Sequence, residues 1–243
     1  MRYAIIADIH ANLAALTAVM ADIERKDGVD EIWCLGDVVG YGPDPCQCIE
    51  LLNRYNHICV AGNHDWAAVG KVSLSYFNPM AADACRWTTK QLSQDDVRYL
   101  ENLPLTVDKG DFLIVHGSPA EPVMEYVIST SIAARNFSLF KSSYCLVGHT
   151  HVPAAFKEEN GTCKAIRLSP GVGLVLGTGR MIVNPGAVGQ PRDGDPQAAY
   201  AIYDSESRIL RPYRLAYDIS ATQDRIMQAG LPIHLATRLA AGR

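Results

Sequence analysis

Short apolar runs that stop at polar loops recur along the first quarter of the chain. Between the first two runs, apolar residues recur every three or four positions from Leu13 to about Lys26, and Asn12 is placed to cap that helix. A second helix begins at Asp44-Pro45 and extends to about Tyr55. The apolar runs themselves, predicted as strands, cover residues 3–7, 31–35 and 58–61. Strands that alternate with helices predict an α/β sheet with parallel pairing, in which ligands bind at the strand ends.

The remainder of the chain is predicted to contain both helices and strands. Helices are predicted to begin at Asn78-Pro79 and at Ser93, to run over about residues 129–141, and to restart at Ser220 near the C-terminus. Asn160-Gly161 predicts a tight hairpin turn. Further strands are predicted over residues 105–107, 112–115, 144–147, 154–157, 163–168, 181–183, 199–203 and 210–215. Since no segment has the composition of a linker, we expect one domain over residues 1–243.

Composition and charge exclude several classes of protein. The 243 residues are 48% apolar and carry 22 basic and 26 acidic side chains, for a net charge of −4. The basic residues are scattered, which disfavours a protein that grips long nucleic acid. No apolar run approaches the about 18 residues of a membrane helix, and the N-terminus has no signal-peptide pattern. The seven cysteines show no paired metal-binding spacing, so we expect reduced thiols in a cytoplasmic protein, with homo-oligomerisation left open.

Potential metal ligands collect at the ends of the predicted strands. Five of the seven histidines follow strands, and so do two aspartates and one asparagine. These residues are His10, His64, His116, His149 and His151, with Asp8, Asp37 and Asn63. Imidazole, carboxylate and amide donors together suit Mn, Fe, Co, Ni or Zn better than Ca, and the lack of cysteine argues against a structural zinc site. The pattern predicts a site for divalent metal ions, which would let an acidic protein bind phosphate.

The order of these residues resembles the calcineurin-like metallophosphoesterase superfamily over about residues 1–204. The matching motifs are Asp8-x-His10, Gly36-Asp37, Gly62-Asn63-His64-Asp65, a lone His116 and Gly148-His149-x-His151. The resemblance implies a four-layer αββα sandwich, in which two mixed β-sheets pack face to face with helices outside. This is the α/β fold class that we expect for the chain.

The resemblance also implies a role for each residue of the site. Asp37 would bridge two metal ions, and His64 would face the substrate as an acid or an electrostatic clamp, with Asp65 orienting it. One metal would be held by Asp8, His10 and His151, and the other by Asn63, His116 and His149. Mn²⁺ is the expected ion, with Fe, Zn, Co or Ni as alternatives. Two such ions can hold a bridging hydroxide that attacks phosphorus.

Departures from the superfamily pattern bear on the substrate. Tyr41 stands where protein phosphatases and symmetrical diadenosine tetraphosphatases usually have an arginine, and Asp65-Trp66-Ala67 lacks the arginine that follows in protein phosphatases. We therefore expect hydrolysis of small phosphate esters or anhydrides, such as nucleotide phosphodiesters or dinucleoside polyphosphates. A protein Ser/Thr phosphatase is the second hypothesis. A non-catalytic scaffold with a phosphoesterase fold is the third, although the full ligand set argues against it.

Three residues are candidates for substrate binding. Arg192 lies in a stretch, residues 184–193, that resembles a bacterial group related to diadenosine tetraphosphatases, and its guanidinium suits a phosphate. Asn12 and Tyr41 are the other two candidates. Trp66 and Tyr76-Phe77 could join Tyr41 in an aromatic rim for a nucleobase. The same group usually has glycine at position 11, so alanine there predicts a negative φ.

Overall fold

The computed structural model describes residues 1–159 and 161–243, so the predicted turn at Asn160-Gly161 lies partly outside the described residues. The strands are β1 Arg2–Ile6, β2 Glu31–Cys34, β3 His57–Cys59, β4 Thr106–Lys109, β5 Phe112–Val115, β6 Tyr144–Leu146, β7 Ala154–Glu159, β8 Thr162–Ile166, β9 Leu174–Val175, β10 Arg180–Asn184, β11 Ala198–Asp204 and β12 Ile209–Leu215. The helices are α1 Leu13–Arg25, α2 Pro45–Leu52, α3 Asn63–Ala68, α4 Pro79–Gln91, α5 Gln94–Glu101, α6 Thr130–Phe137, α7 Ile219–Gln228 and α8 Ile233–Ala241, with a 3₁₀ turn at Leu74–Tyr76.

The strands form two mixed sheets. One sheet has the order β3-β2-β1-β11-β12-β9, and its first three strands are parallel. The other has the order β4-β5-β6-β10-β7-β8, with β5, β6 and β10 parallel. The carboxyl ends of parallel strands meet at one edge of a sheet, so the loops that follow these six strands are brought together in two groups.

The two sheets pack face to face, and helices cover their outer faces. In β1, Ile5 belongs to the core between the sheets, whereas Ala4 and Ile6 face the core under α1 and α2. In β5, Phe112 and Ile114 face inward, and the alternate residues Leu113 and Val115 pack against α6. This period of two explains why these strands appear as unbroken apolar runs: both faces are buried. The layers follow the order helix, sheet, sheet, helix, which confirms the predicted αββα sandwich.

The last two helices form a separate apolar cluster beside the loop that follows β2. Leu235 and Leu239 of α8 and Ile226 of α7 pack with Tyr41 and with Ala81 of α4. Through this cluster, the C-terminal helices pack beside the loops that carry the predicted site residues.

Some predicted boundaries are wrong. The cap of α7 is Asp218, whose carboxylate accepts the backbone N–H of Ala221, rather than Ser220. Helix α6 ends at Phe137, not near residue 141. Helix α3 and strand β9 were not predicted, because α3 has only six residues and β9 only two.

Among the described residues, no helix is long and apolar enough to cross a membrane. All seven cysteines are free.

Candidate metal centre and active site

The loops that carry the predicted ligands have an uncommon backbone conformation. Of nine non-glycine residues with positive φ in the described chain, seven lie in these loops: Asp8, His10, Ala11, Asp37, Tyr41, His149 and His151. The prediction for Ala11 is wrong, since its φ is +50°. Left-handed backbone costs free energy at non-glycine residues, and such residues cluster where side chains must be aimed at one point. Hydrogen bonds between the loops hold this conformation; His10 N–H, for example, donates to Asp37 O at 2.9 Å.

The first group of ligand atoms comes from the loops after β1, β2 and β6. The Nε2 atoms of His10 and His151 lie 3.0 Å apart. His10 Nε2 is 3.6 Å from Asp37 Oδ2, and His151 Nε2 is 3.5 Å from Asp8 Oδ1. All four side chains are buried, and their donor atoms lie within 4.8 Å of one another.

The second group shares Asp37 with the first. His116 Nε2 lies 3.3 Å from Asp37 Oδ2, 3.1 Å from His149 Nδ1 and 3.2 Å from Asn63 Oδ1. These four side chains are also buried. The structure thus brings all seven predicted ligands together, three on either side of Asp37.

Each imidazole is fixed by a backbone carbonyl at its far nitrogen. His116 Nδ1 donates to Leu35 O at 2.7 Å, and His151 Nδ1 donates to Gln190 O at 2.6 Å. His10 and His149 make the same kind of bond at 3.2 Å, to Val39 O and Met124 O. A carbonyl can only accept, so the far nitrogen of each ring carries a proton, and the near nitrogen presents a lone pair to the centre once it has lost its own proton.

This arrangement fits divalent cations. Lone pairs of His10 and His151 face each other at 3.0 Å, a contact that is repulsive unless a cation or a proton lies between them. A divalent cation held by both nitrogens would remove this repulsion, and imidazole nitrogens are common ligands of such ions. Asp8 Oδ2 and Asp37 Oδ2 are buried and lack any hydrogen-bond partner in the described structure. Buried carboxylate oxygens without partners are costly, and metal ions would satisfy both.

The charges of the metal-free centre depend on pH. Burial lowers the pKa of His116, but the nearby Asp37 carboxylate raises it by a larger amount. The resulting pKa of His116 is about 10. Burial raises the pKa of Asp8 to about 7. Both groups therefore hold protons more tightly in the folded protein than in the unfolded chain. Their stabilising contribution is complete at low pH and is lost as the pH rises through these values.

A pH-dependent thermal shift follows from these pKa values. The contribution of Asp8 declines between its ordinary pKa of 3.8 and about 7, and that of His116 between 6.5 and about 10, so the melting temperature of the chelator-treated protein is expected to fall as the pH rises from 6.5 to about 10. Mn²⁺ should raise the melting temperature more at pH 9 than at pH 6.5, because the ion replaces those protons. Differential scanning calorimetry with and without chelator measures both trends. A metal-induced shift that shrinks as the pH rises would contradict this account of the centre.

The Asp65 carboxylate is hydrogen-bonded to the backbone of the loops rather than to the His64 ring. It accepts the backbone N–H groups of Asp37 at 2.7 Å, Val39 at 3.1 Å and Gly62 at 3.0 Å. No hydrogen bond joins it to the His64 ring among the described residues. The predicted orienting role of Asp65 is therefore wrong in its direct form, because backbone donors use the carboxylate. Asp65 instead fixes the loop that carries Asp37 against the start of α3.

His64 is held by its surroundings. Its backbone N–H donates to Asp37 Oδ1 at 2.8 Å, which leaves Asp37 Oδ2 for the metal centre. Its ring packs against Tyr41, Phe77 and His10, with centroids 4.3–4.9 Å away. Nδ1 is buried without a partner, and a Cβ at Gly40 would lie 2.5 Å from it. Glycine at position 40 thus makes room for the ring, and Nε2 is the nitrogen that can reach a ligand.

A cavity of about 120 Å³ opens beside the centre. Its wall includes ligands of both groups and His64, together with Tyr41, Tyr76, Phe77 and Arg192. The guanidinium of Arg192 lies 5.6 Å from the centre of the Tyr41 ring and is oriented by Gln190 Oε1 at 2.7 Å. The structure therefore places two predicted substrate-binding residues, Tyr41 and Arg192, at the cavity. Trp66 does not line it and packs instead against the helical core.

Two residues near the cavity escaped sequence reasoning. Tyr126 lines the cavity from the loop between β5 and α6, and its ring stacks on His149 with centroids 3.9 Å apart. Arg238, in α8, places its guanidinium 5.9 Å from the Tyr41 ring. Neither residue belongs to a motif, and each reaches the site only through the packing of a distant segment.

Asn12 is placed differently from the prediction. Its Oδ1 accepts the N–H of Ala15 at 3.2 Å as the cap of α1 and the hydroxyl of Thr222 at 2.9 Å. Its Nδ2 donates to Gly189 O at 2.8 Å and to the Tyr217 hydroxyl at 3.2 Å. The amide group is buried and fully used within the protein, so it is not available to a substrate in the cavity.

Asn12→Ala is consequently expected to act on stability. The variant loses a helix cap and leaves the Thr222 hydroxyl without its acceptor, which together should lower the free energy of unfolding by about 2–3 kcal/mol. Urea unfolding measures the change, and metal content after dialysis serves as the second readout. Loss of bound metal with unchanged stability would contradict the structural role.

The site and fold agree with comparisons to known proteins. Residues 1–208 match the calcineurin-like phosphoesterase superfamily domain. An uncharacterized protein of Methanocaldococcus jannaschii is 38% identical over 246 residues, which cover 99% of this chain and 98% of that protein. A metallophosphoesterase structure from Sphaerobacter thermophilus is 48% identical, with a TM-score of 0.91 over 100% of this chain and 99% of that one. The chain belongs to the calcineurin-like phosphoesterase superfamily, as its motifs predicted.

A shorter match concerns one enzyme with a defined name. The symmetrical bis(5′-nucleosyl)-tetraphosphatase of Pseudomonas putida is 31% identical over 62 residues, which cover 25% of this chain and 22% of that enzyme. Membership of the superfamily and the buried Asp/His cluster together indicate a phosphoesterase with a divalent-metal site.

Proposed function

We propose that the protein is a dinuclear metal-dependent hydrolase of small phosphate esters or anhydrides, such as nucleotide phosphodiesters or dinucleoside polyphosphates. The observation that carries the proposal is the pair of buried donor groups that share Asp37. Asp8, His10 and His151 would hold one ion, Asn63, His116 and His149 the other, and Asp37 both. Divalent ions in such a site supply Lewis-acid polarisation of a phosphoryl oxygen and activation of water.

His64 would assist the leaving group. Burial lowers the pKa of the ring to about 4, so without substrate the imidazole is neutral at pH 7. A phosphate that enters the cavity brings negative charge, which favours a proton on His64. Nε2 could then donate that proton to the leaving oxygen. Packing against Tyr41 and Phe77 restricts the ring to one orientation, so little reorganisation is required.

Arg192 would bind the non-bridging phosphate oxygens. Its guanidinium lies at the cavity, and its hydrogen bonds go to the neutral Gln190 side chain rather than to a carboxylate. A guanidinium without an acidic partner keeps its charge available for an anion. In the described structure, it has no ion pair with any carboxylate.

A small substrate is favoured over a phosphoprotein. Tyr41, which replaces an arginine of protein phosphatases, is only 7% exposed and packs on His64 and the C-terminal helices. Tyr41 lines the cavity, whose volume of about 120 Å³ suits a small substrate. The scaffold hypothesis is disfavoured, because the described site retains every candidate ligand and His64.

The test is turnover of a substrate series by metal-loaded protein. Mn²⁺-loaded protein is expected to hydrolyse bis-p-nitrophenyl phosphate and a dinucleoside polyphosphate, with much weaker activity on phosphopeptides. Chelation should abolish activity, and added Mn²⁺ should restore it. Absence of turnover on all esters and anhydrides, with two equivalents of metal bound, would sink the proposal and revive the scaffold hypothesis.

A further inference from the structure

Aromatic side chains from two separate loops stand exposed at the mouth of the cavity. Tyr76, at the end of the 3₁₀ turn that precedes α4, is 73% exposed. Tyr126, in the loop between β5 and α6, is 44% exposed. Both line the cavity that holds the metal ligands. Exposed aromatic surface is unfavourable in water, and its concentration at the rim of a polar site indicates a ligand with an apolar, flat part.

Tyr126 is fixed in position. One face of its ring is stacked on His149, with an interplanar angle of 16°, and His149 in turn bonds to Met124 O of the same loop. The neighbouring Glu125 carboxylate accepts bonds from Ser118 and Asn136, each at 2.7 Å. The loop is thereby tied to the end of β5 and to α6. Because one face is covered by His149, the exposed surface belongs to the remainder of the ring.

The Tyr126 ring lies near the groups that would bind a phosphate. His149 is a candidate metal ligand, and a group stacked on the other face of Tyr126 would be separated from His149 by the Tyr126 ring alone. Such a group would therefore lie close to the metal centre. Arg192 and Tyr126 both lie on the wall of this cavity. The phosphate-binding guanidinium and the aromatic face therefore belong to one continuous surface.

We infer that Tyr126 is a stacking platform for the nucleobase of a nucleotide substrate whose phosphate lies at the metal centre. The inference rests on the proposed function and assigns its specificity to a residue outside the metal-binding motifs. Any base can stack on an aromatic face, so the platform would distinguish nucleotides from other phosphates without selecting one base.

The experiment compares two non-hydrolysable phosphonates that differ at C1′ of the ribose, where one carries adenine and the other a hydroxyl group. They are the analogues of adenosine 5′-monophosphate and ribose 5-phosphate in which a CH₂ group replaces the bridging oxygen. Calorimetric titration of the Mn²⁺-loaded protein should show about tenfold tighter binding of the adenosine compound, as stacking on an aromatic side chain provides. Tyr126→Phe should keep this ratio, and Tyr126→Ala should bring it close to one.

The ratio corrects for general effects on phosphate binding, because both compounds carry the same phosphonate. Tyr55→Ala is the matched control: Tyr55 lies outside the cavity and donates to Glu24 at 2.8 Å, so the ratio should not change. The inference is overturned if the two compounds bind the wild type about equally, or if the tenfold preference for the adenosine compound remains in Tyr126→Ala. Turnover of bis-p-nitrophenyl phosphate is measured in parallel, so a failed proposed function and a failed platform give different results.

Discussion

Asp37→Asn is expected to lower kcat for phosphoester hydrolysis by at least about 10³-fold, because metal ions contribute several kcal/mol to such reactions. Asp37 belongs to both donor groups, and its Oδ2 lies 3.3 Å from His116 Nε2 and 3.6 Å from His10 Nε2. Asparagine keeps the shape and can still accept the His64 N–H at Oδ1. It loses the charge, however, and places an NH₂ group at the position that would face the metals.

Metal content separates this effect from unfolding. The variant should retain less than one equivalent of metal after dialysis, and Mn²⁺ should raise its melting temperature far less than that of the wild type. Asp224→Asn, which changes an exposed carboxylate of α7, is the matched control and should retain full metal content and activity. An Asp37→Asn protein with two bound ions and normal kcat would refute the shared role of Asp37.

His64→Gln is expected to reduce kcat by about 10²–10⁴-fold for esters with poor leaving groups, which is the range of general acid catalysis. The loss should be small for p-nitrophenyl esters, whose leaving group is stable as an anion, and large for phenyl or alkyl esters, which need a proton. Metal content should stay unchanged, because no His64 ring nitrogen belongs to either donor group. A plot of log kcat against leaving-group pKa should therefore become steeper in the variant.

The same measurement distinguishes two roles for His64. An equal loss with every leaving group would contradict proton donation and would leave an electrostatic role. His234→Gln, on the exposed side of α8, is the control for histidine replacement and should leave the slope unchanged.

The sequence by itself determined the strand ends and the candidate ligands placed there. Asp8, Asp37 and His116 each follow a run of apolar residues, and the strand–helix alternation predicted the parallel pairing that makes such ends converge. The layered sandwich and the division of the candidate ligands were implied by the resemblance of the motifs to a known superfamily. The strand ends and the polar residues that follow them are local in the chain, so residue type and spacing suffice to reveal them.

Only the tertiary structure decided how the ligands are oriented and what surrounds them. The ring of His116 is fixed by a carbonyl 81 residues away, and Tyr126 reaches His149 from a different loop. Asn12 was assigned to substrate, yet Gly189 and Thr222, far along the chain, use its amide. Backbone carbonyls are the same in every residue, and contacts across long sequence separations leave no local pattern. The chemical identity of the candidate ligands is therefore encoded locally, whereas the orientation of their side chains depends on the complete fold.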